Sequence, residues 1–545
     1  MQATLTFLLA FFAVFLLSPE LVSSKRAPAA AKKPMCNREC KREQLIRNHR
    51  QQLEDKLRQD RLARRASWQR NESKIRWTEV NQDDLLALVS LYNNTNGAKW
   101  VKNSGWTNGM HGDPCGQQWY GVSCNADNRV IDIEMVYNRL SGRLPDDLAR
   151  ADQLQHLVLY SNALSGPIPS NLFSHPNLVE LNLNYNELSG QLPSQVRMPK
   201  LERLILYTNK LTGPLPEEWD TPELFYFEIS SNVFTGRLPP AIGDLEKLEL
   251  LIISRNNLTG PFPSSLARLS RLNKLWLFNN ELRGEFPDLR SSSNMNDCQM
   301  DGITGPFPNW LASSWPKVQY LLLVRGNMSG QLPESVCDIQ SIKQLWLFQN
   351  NFEGEIPSCL GRLKSLLSLE LSDNKLSGSI PESLGDASSL RDLYLSRNNL
   401  TGGIPESLGN LKMEILDLSN NMLIGGIPSS FENYINHTFS FSLCYNLLSG
   451  PIPQNLETFF KFIDHFTCNL YDNPWSCPLP SFVPKSCQCG CSECSSVADH
   501  TECSQCTAHS HCGYCSYGSN CLAGIQSGST GYFCPVGQWK YAGEC

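Results

Sequence analysis

Twenty-one cysteines, nine histidines and a recurring set of large aromatic residues are the side chains here that could do chemistry. The usual catalytic spacings are missing: the sequence contains no HExxH, GxSxG, GxxxxGK[ST] or protein-kinase signature. The histidines are scattered, and carboxylates are plentiful everywhere, so no pair of them singles itself out as an acid and base. No catalytic residue, metal ligand or cofactor is therefore assigned. Cys487-Gln-Cys-Gly-Cys-Ser-Glu-Cys494 has thiolate spacing that could hold a metal, but an oxidising compartment favours disulfides instead. The chemistry left is recognition by aromatic and charged side chains, and it depends on how those residues are held.

They are held by a repeat. Ile342, Leu345, Leu347, Asn350, Phe352, Gly354, Ile356 and Pro357 are followed twenty-four residues later by Leu366, Leu369, Leu371, Asn374, Leu376, Gly378, Ile380 and Pro381. The pattern is LxxLxLxxNxLxGxIP, a leucine-rich repeat, and a fixed period outranks local propensity. Alternating apolar positions predict a short strand whose apolar side is buried only by stacking on its neighbours. The Asn stands where the chain leaves the strand and can bond backbone groups left unpaired by the turn. Gly and Pro then turn the chain.

Fourteen repeats of 23–25 residues start at Val130, Leu154, Leu178, Leu201, Leu224, Leu248, Leu272, Ser293, Val318, Ile342, Leu366, Leu390, Met413 and Thr438. In the eighth, Ser293, Asn296 and Cys298 occupy apolar positions, which predicts a bulge or loop as readily as a strand. The ninth has Gly326 in place of Asn. The x positions of LxxLxLxx point onto the concave face. They carry Tyr160, Tyr207, Trp276, Phe278, Tyr320, Trp346, Phe348 and Tyr394, with Arg325 and Lys343 as polar partners. Exposed rings on a rigid surface are typical binding anchors; the competing reading is cross-strand stabilisation.

The flanks differ in kind. Residues 1–24 contain an apolar run, Leu5–Leu17, and end in small residues, as a secretory signal does. Residues 25–76 hold 17 Lys and Arg against 6 acidic residues, leaving about −17 for the rest of a chain of net charge −6. Charge pairs at i, i+4 there support an exposed helix, a basic arm or a propeptide; a solvated, disordered leader is equally compatible. Nucleic acid is a poor match for a secreted chain, and no further stretch is apolar enough to span a bilayer. Residues 77–129 read as a cap: an amphipathic helix, then Asp113-Pro-Cys-Gly-Gln-Gln-Trp-Tyr-Gly-Val-Ser-Cys124, in which a Cys115–Cys124 bridge and Trp119 would close the open end of the stack.

ALVSLYNNTNGAKW, DPC, WYGVSC and the LSGxLP repeats together resemble the plant-type leucine-rich repeat ectodomain family of receptor-like kinases, receptor-like proteins and polygalacturonase inhibitors. The resemblance implies a right-handed superhelix with a second short strand from LSGxIP. It also supports a Cys337–Cys359 bridge, a spacing shared with receptor-like proteins. Cys444 and Cys468, one repeat length apart, are expected to pair, and Cys298 to be a buried thiol. The solenoid spans 130–461 and a C-terminal cap 462–487. Residues 488–545 form a small disulfide-rich module whose CxxC…CGYC…C run resembles the plexin–semaphorin–integrin module. Asn71, Asn93, Asn257, Asn327, Asn399 and Asn436 open glycosylation sequons.

The class is α/β: a leucine-rich repeat solenoid with parallel strands on its concave face. The expected function is a secreted recognition protein that binds an extracellular protein, peptide or polysaccharide there, as a co-receptor partner at a membrane or as an enzyme inhibitor. The alternative is a matrix or wall protein attached through its basic leader and Cys-rich tail.

Overall fold

Each repeat supplies one short strand with a buried side, and in the computed structural model these strands form a single sheet of sixteen, from Val122–Cys124 to Thr467–Asn469. The first pair is antiparallel; every later pair is parallel and in sequence order. The structure describes residues 81–106, 112–434, 438, 440–463, 467–475, 479–484 and 487, a few positions between 51 and 63, and backbone strands within 512–540. The signal-like start, most of the basic leader, Asn71, Asn436 and the tail's cysteine pairing lie outside the described residues. The chain divides into two units, 1–72 and 73–545. In the first, Gln51, Gln52, Asp55, Lys56, Gln59 and Ala63 are helical and exposed.

Behind the long sheet the chain makes a second set of short strands, such as Lys375–Ser379, and then a 3-10 turn, such as Glu382–Asp386. Pro381, extended at φ −65° and ψ 132°, precedes that turn and sets its direction. The leucines of the repeat fill the space between the layers and are almost completely buried. Near the C-terminus a separate antiparallel sheet of four joins Cys512–Cys515, Asn520–Ile525, Gly528–Ser529 and Trp539–Lys540.

The buried asparagines tie coil to coil. Asn374 Nδ2 donates to Leu371 O at 3.0 Å in its own coil and to Leu347 O at 3.0 Å in the preceding one, while its Oδ1 accepts from Phe352 N at 3.0 Å. The same three-way bond recurs at Asn186, Asn209, Asn232, Asn256, Asn398 and Asn421. Asn473 repeats it in a fifteenth coil, within the segment expected to be the C-terminal cap.

The eighth repeat corrects the sequence frame. Its strand, Asp297–Asp301, is regular, and Cys298 pairs with Leu275 on one side and Leu321 on the other. The frame therefore starts at Met295, two residues after Ser293, and its inward residues are Met295, Cys298, Met300 and Ile303, all fully buried. The frame is hidden in sequence because two methionines and a cysteine replace leucines. Ile303 and Gly326 consecutively occupy the asparagine position. There the strands Asp297–Asp301 and Tyr320–Val324 pair over five residues, so backbone satisfies backbone where the amide is missing.

At the N-terminal end, helix Gln82–Asn94 starts at Asn81, whose side chain accepts from Asp84 N at 3.0 Å. Buried Asp84 then accepts from Val130 N at 2.9 Å and from Arg129 Nε at 2.9 Å, which ties the cap to the first parallel strand. Trp100, Trp106 and Trp119 are buried together over the end of the core, beside the Cys115–Cys124 disulfide. Cys337 and Cys359, in the 3-10 turns of successive coils, are also bonded, with Cα atoms 5.8 Å apart. Cys444 and Cys468 do not pair; Cys468 is bonded to Cys487. Register explains it: Cys468 lies opposite Phe441, three residues from Cys444 along the strand. That offset is about 10 Å at strand rise, beyond the reach of a disulfide.

Two stability predictions follow from these bonds. Asn374→Ala leaves buried backbone groups unpaired in two coils and is expected to cost about 3 kcal/mol in urea-induced unfolding. Burial pushes the Asp472 carboxyl up to about 6, against a hydrogen bond from Tyr445 that lowers it. Since an unfolded Asp titrates near about 4, the folded state binds this proton more tightly. The contribution of Asp472 is therefore favourable below pH ~4 and is lost as pH rises through ~6. Asp472 has φ 52°, a conformation Asn tolerates. Asp472→Asn is expected to stabilise the protein at pH 7 by on the order of 2 kcal/mol and to flatten the stability profile between pH 4 and 6.

Candidate binding face

The long sheet sets the concave residues in straight rows. Register places Ile252, Trp276, Gln299, Leu322, Trp346 and Glu370 side by side on consecutive strands. A second row runs Leu250, Lys274, Asp297, Tyr320, Gln344 and Ser368. Residues of a row are about 4.8 Å apart, close enough for direct side-chain contact.

Those contacts are made. Lys274 Nζ lies 4.6 Å from the centre of the Trp276 ring and 3.6 Å from Asp297 Oδ2. Gln299 Nε2 donates to Asp297 Oδ1 at 3.0 Å. Trp276 and Phe278 are 6.1 Å apart. Leu322, Val324 and Trp346 form an apolar cluster of their own, with Tyr320 and Phe348 packed against it, and Trp346 Nε1 donates to Ser368 Oγ at 2.9 Å. Nearer the N-terminus the rows carry charge: His156 Nδ1 meets Asp132, and Arg203 Nε donates to Glu180 Oε2 at 3.3 Å while its guanidinium sits 5.7 Å from the Phe225 ring.

The expectation of exposed rings needs correction. Trp276, Phe278, Tyr207, Trp346 and Tyr394 are buried; Tyr160, Tyr320 and Phe348 are half-buried. At this strand spacing, large neighbours in a row cover one another, so the x positions are not free. Tyr137, at 67%, and Tyr185, at 42%, are the most exposed aromatics of the face. Arg325 is exposed, with Nη1 donating to Asn279 Oδ1 at 3.0 Å, and Lys343 is half-buried. The sequence also gave no sign that Asp132, Glu180 and Asp297 would stand next to cationic partners, because each pair is separated by a full coil. Asn182 Oδ1, Gln299 Oε1 and Arg203 Nη2 are buried on these rows without a hydrogen-bond partner among the described residues.

The rim of the face has its own backbone rule. The residue before each ladder asparagine is left-handed: Tyr185, Thr208, Arg255, Arg397 and Asp472 have φ between 51° and 58°. Gly302 takes this place in the eighth coil with φ 75°. Outside the face, Asn93, Asn257, Asn327 and Asn399 are exposed, and the last three open second strands exactly equivalent in the repeat, three coils apart. Glu334, Cys337 and Cys359 lie together, but the two sulfurs are bonded to each other and offer no thiolate to a metal.

The comparisons agree with this architecture. A leucine rich repeat N-terminal domain matches residues 81–125, and leucine rich repeats match 177–197, 247–269, 341–363, 365–387, 389–411 and 412–434. A probable leucine-rich repeat receptor-like protein kinase of Arabidopsis thaliana is 36% identical over 77 residues, 14% of this chain and 7% of that protein. The receptor-like serine/threonine-protein kinase FEI 2 of Arabidopsis thaliana is 44% identical over 50 residues, 9% of this chain and 8% of that protein. The matches thus span under a tenth of the length of either kinase. Among solved structures, the ectodomain of the Arabidopsis receptor kinase HAESA, in complex with an extended IDA peptide hormone, aligns with TM-score 0.60 and 28% identity over 71% of this chain and 66% of that one. A plant peptide hormone receptor in complex with its ligand aligns with TM-score 0.51 and 27% identity, covering 62% of each chain. The chain carries a leucine rich repeat N-terminal domain and leucine rich repeats, and its cap and solenoid are similar to those of plant receptor ectodomains.

Proposed function

We propose that this protein is an extracellular recognition protein that binds a peptide or an extended segment of a protein on its concave face. The observation that carries this reading is the pair of rows through Trp276 and Trp346. They combine large rings, a paired Lys274 and Asp297, and buried polar atoms such as Gln299 Oε1 that lack a partner among the described residues. Such atoms are costly unless a ligand or water satisfies them. The solved ectodomain similar to this chain is a peptide hormone complex, which supports a peptide as the ligand class. Three disulfides among the described residues and exposed sequon asparagines fit an oxidising, glycosylating route to the outside of the cell. Among the described residues no helix is long and apolar enough to cross a membrane.

Since the central rings are buried, the test uses few substitutions. Secreted protein is immobilised and exposed to extracellular extract, beside an Arg325→Glu/Trp346→Ala variant whose thermal unfolding is recorded. A captured peptide or protein, identified by mass spectrometry, is expected to bind the folded variant at least tenfold more weakly, as loss of an aromatic anchor would require. Equal capture by both proteins would move recognition away from this face and favour attachment through the termini, as in a matrix protein.

A further inference from the structure

A second surface lies on the flank of the solenoid, separate from the concave rows. It is a groove of about 1420 Å³ running across the seventh to eleventh coils, between the second strands and the starts of the 3-10 turns. Ligand pockets for small molecules usually have about 300–1,000 Å³, so this one suits a longer occupant. Its floor is apolar: Phe307, Leu332, Ile356 and Pro357 are buried beneath it. One end is closed by Phe286 and Trp310, whose rings are 5.8 Å apart. Trp310 owes its place to the eighth coil, where a helical turn, Leu311–Ser314, replaces the usual 3-10 turn, and Trp310 packs on Trp315 at 5.5 Å.

The walls are acidic. Glu285 and Glu355 stand on the strand side, Glu334 and Glu382 on the turn side, and all four are exposed. None of them joins an ion pair among the described residues, and no Lys or Arg lines the groove. Arg290, just outside it, is engaged by Asp288 at 3.4 Å and by the Trp310 ring at 5.8 Å. Five coils span about 19 Å, the length of roughly six residues of extended chain. Glu334 and Glu382, two coils apart, are separated by about 10 Å, or roughly three such residues.

We propose that this flank groove docks an extended segment of a protein partner that carries Lys or Arg about every third residue, with apolar residues between them against the floor. Charge complementarity selects the basic residues, and the aromatic end wall fixes where the segment stops. This reading is independent of the concave face.

The test is fluorescence anisotropy at low salt with the full chain. The probe is a labelled hexapeptide with lysine at its first and fourth positions and proline and leucine between them. Its control has glutamate in place of lysine. The lysine peptide is expected to bind the unmodified protein. It is expected to bind Glu285→Gln/Glu334→Gln/Glu355→Gln/Glu382→Gln at least tenfold more weakly, and Gln331→Lys/Ser358→Lys, which puts cations on both walls, equally weakly. A variant with the same charge change elsewhere, Glu217→Gln/Glu218→Gln/Asp220→Asn/Glu246→Gln, should stay within twofold of the unmodified protein. No binding of the lysine peptide, equal binding of the glutamate peptide, or an equal loss in the distant variant would each overturn the proposal.

Discussion

Everything in this fold depends on how each coil satisfies its backbone when the chain turns out of the strand. Backbone bonds between coils continue past each three-residue strand, as from Leu371 N to Tyr394 O and from Asp373 N to Ser396 O, but other buried groups of the turn, such as the Leu371 carbonyl and the Phe352 amide, are bonded by asparagine side chains instead. The side-chain amide of one asparagine per coil does this: its Oδ1 accepts a hydrogen bond from a backbone N–H of the preceding coil and its Nδ2 donates to carbonyls in both. The bond is local in the coil and non-local in sequence, so it fixes the stacking distance as well as the turn. Rows of concave side chains are straight because the coils are stacked in this way. Where the asparagine is absent, at Ile303 and Gly326, the strands lengthen to five residues, which shows that the requirement persists when the residue that meets it does not.

The sequence displayed this arrangement because it is periodic. The leucines, the asparagines and the Gly–Pro turns repeat in phase, and Cys115 with Cys124, and Cys337 with Cys359, lie where stacking brings them together. What it concealed breaks phase or acts across coils. Met295, Cys298 and Met300 fill core positions without being leucine, so the eighth frame lies two residues beyond the one that starts at Ser293. Cys444 and Cys468 are separated by a repeat length, yet the coil between them is longer than average, and the register moves Cys468 away. The aromatic stripe was visible as residue types. Its burial was not, because it follows from neighbours in a row that are some twenty-four residues apart in the chain.

The eighth coil links these themes. It keeps its strand in the sheet, so the concave rows pass through it unbroken, and it departs from the repeat on the opposite side, where Leu311–Ser314 forms a helical turn. A solenoid can alter one layer of a coil while conserving the other, because the layers are joined by loops and each coil answers only to its neighbours. The flank groove with its Trp310 wall is the product of that independence.

The left-handed residue ahead of each asparagine has an evolutionary consequence. Side chains branched at Cβ are disfavoured in that conformation, and proline is excluded from it. The rim accordingly reads Tyr185, Thr208, Ser231, Arg255, Gln349 and Asp373, with Thr208 as its one Cβ-branched residue and no valine, isoleucine or proline among them. The backbone thus restricts the alphabet from which this edge can be rewritten. Mid-strand positions can drift between apolar and charged residues as ligands change, whereas the rim can exchange only within a narrow and mostly polar vocabulary. New specificities in such a scaffold should arise by rewriting the middle of the face, against a border that stays hydrophilic whatever is recognised.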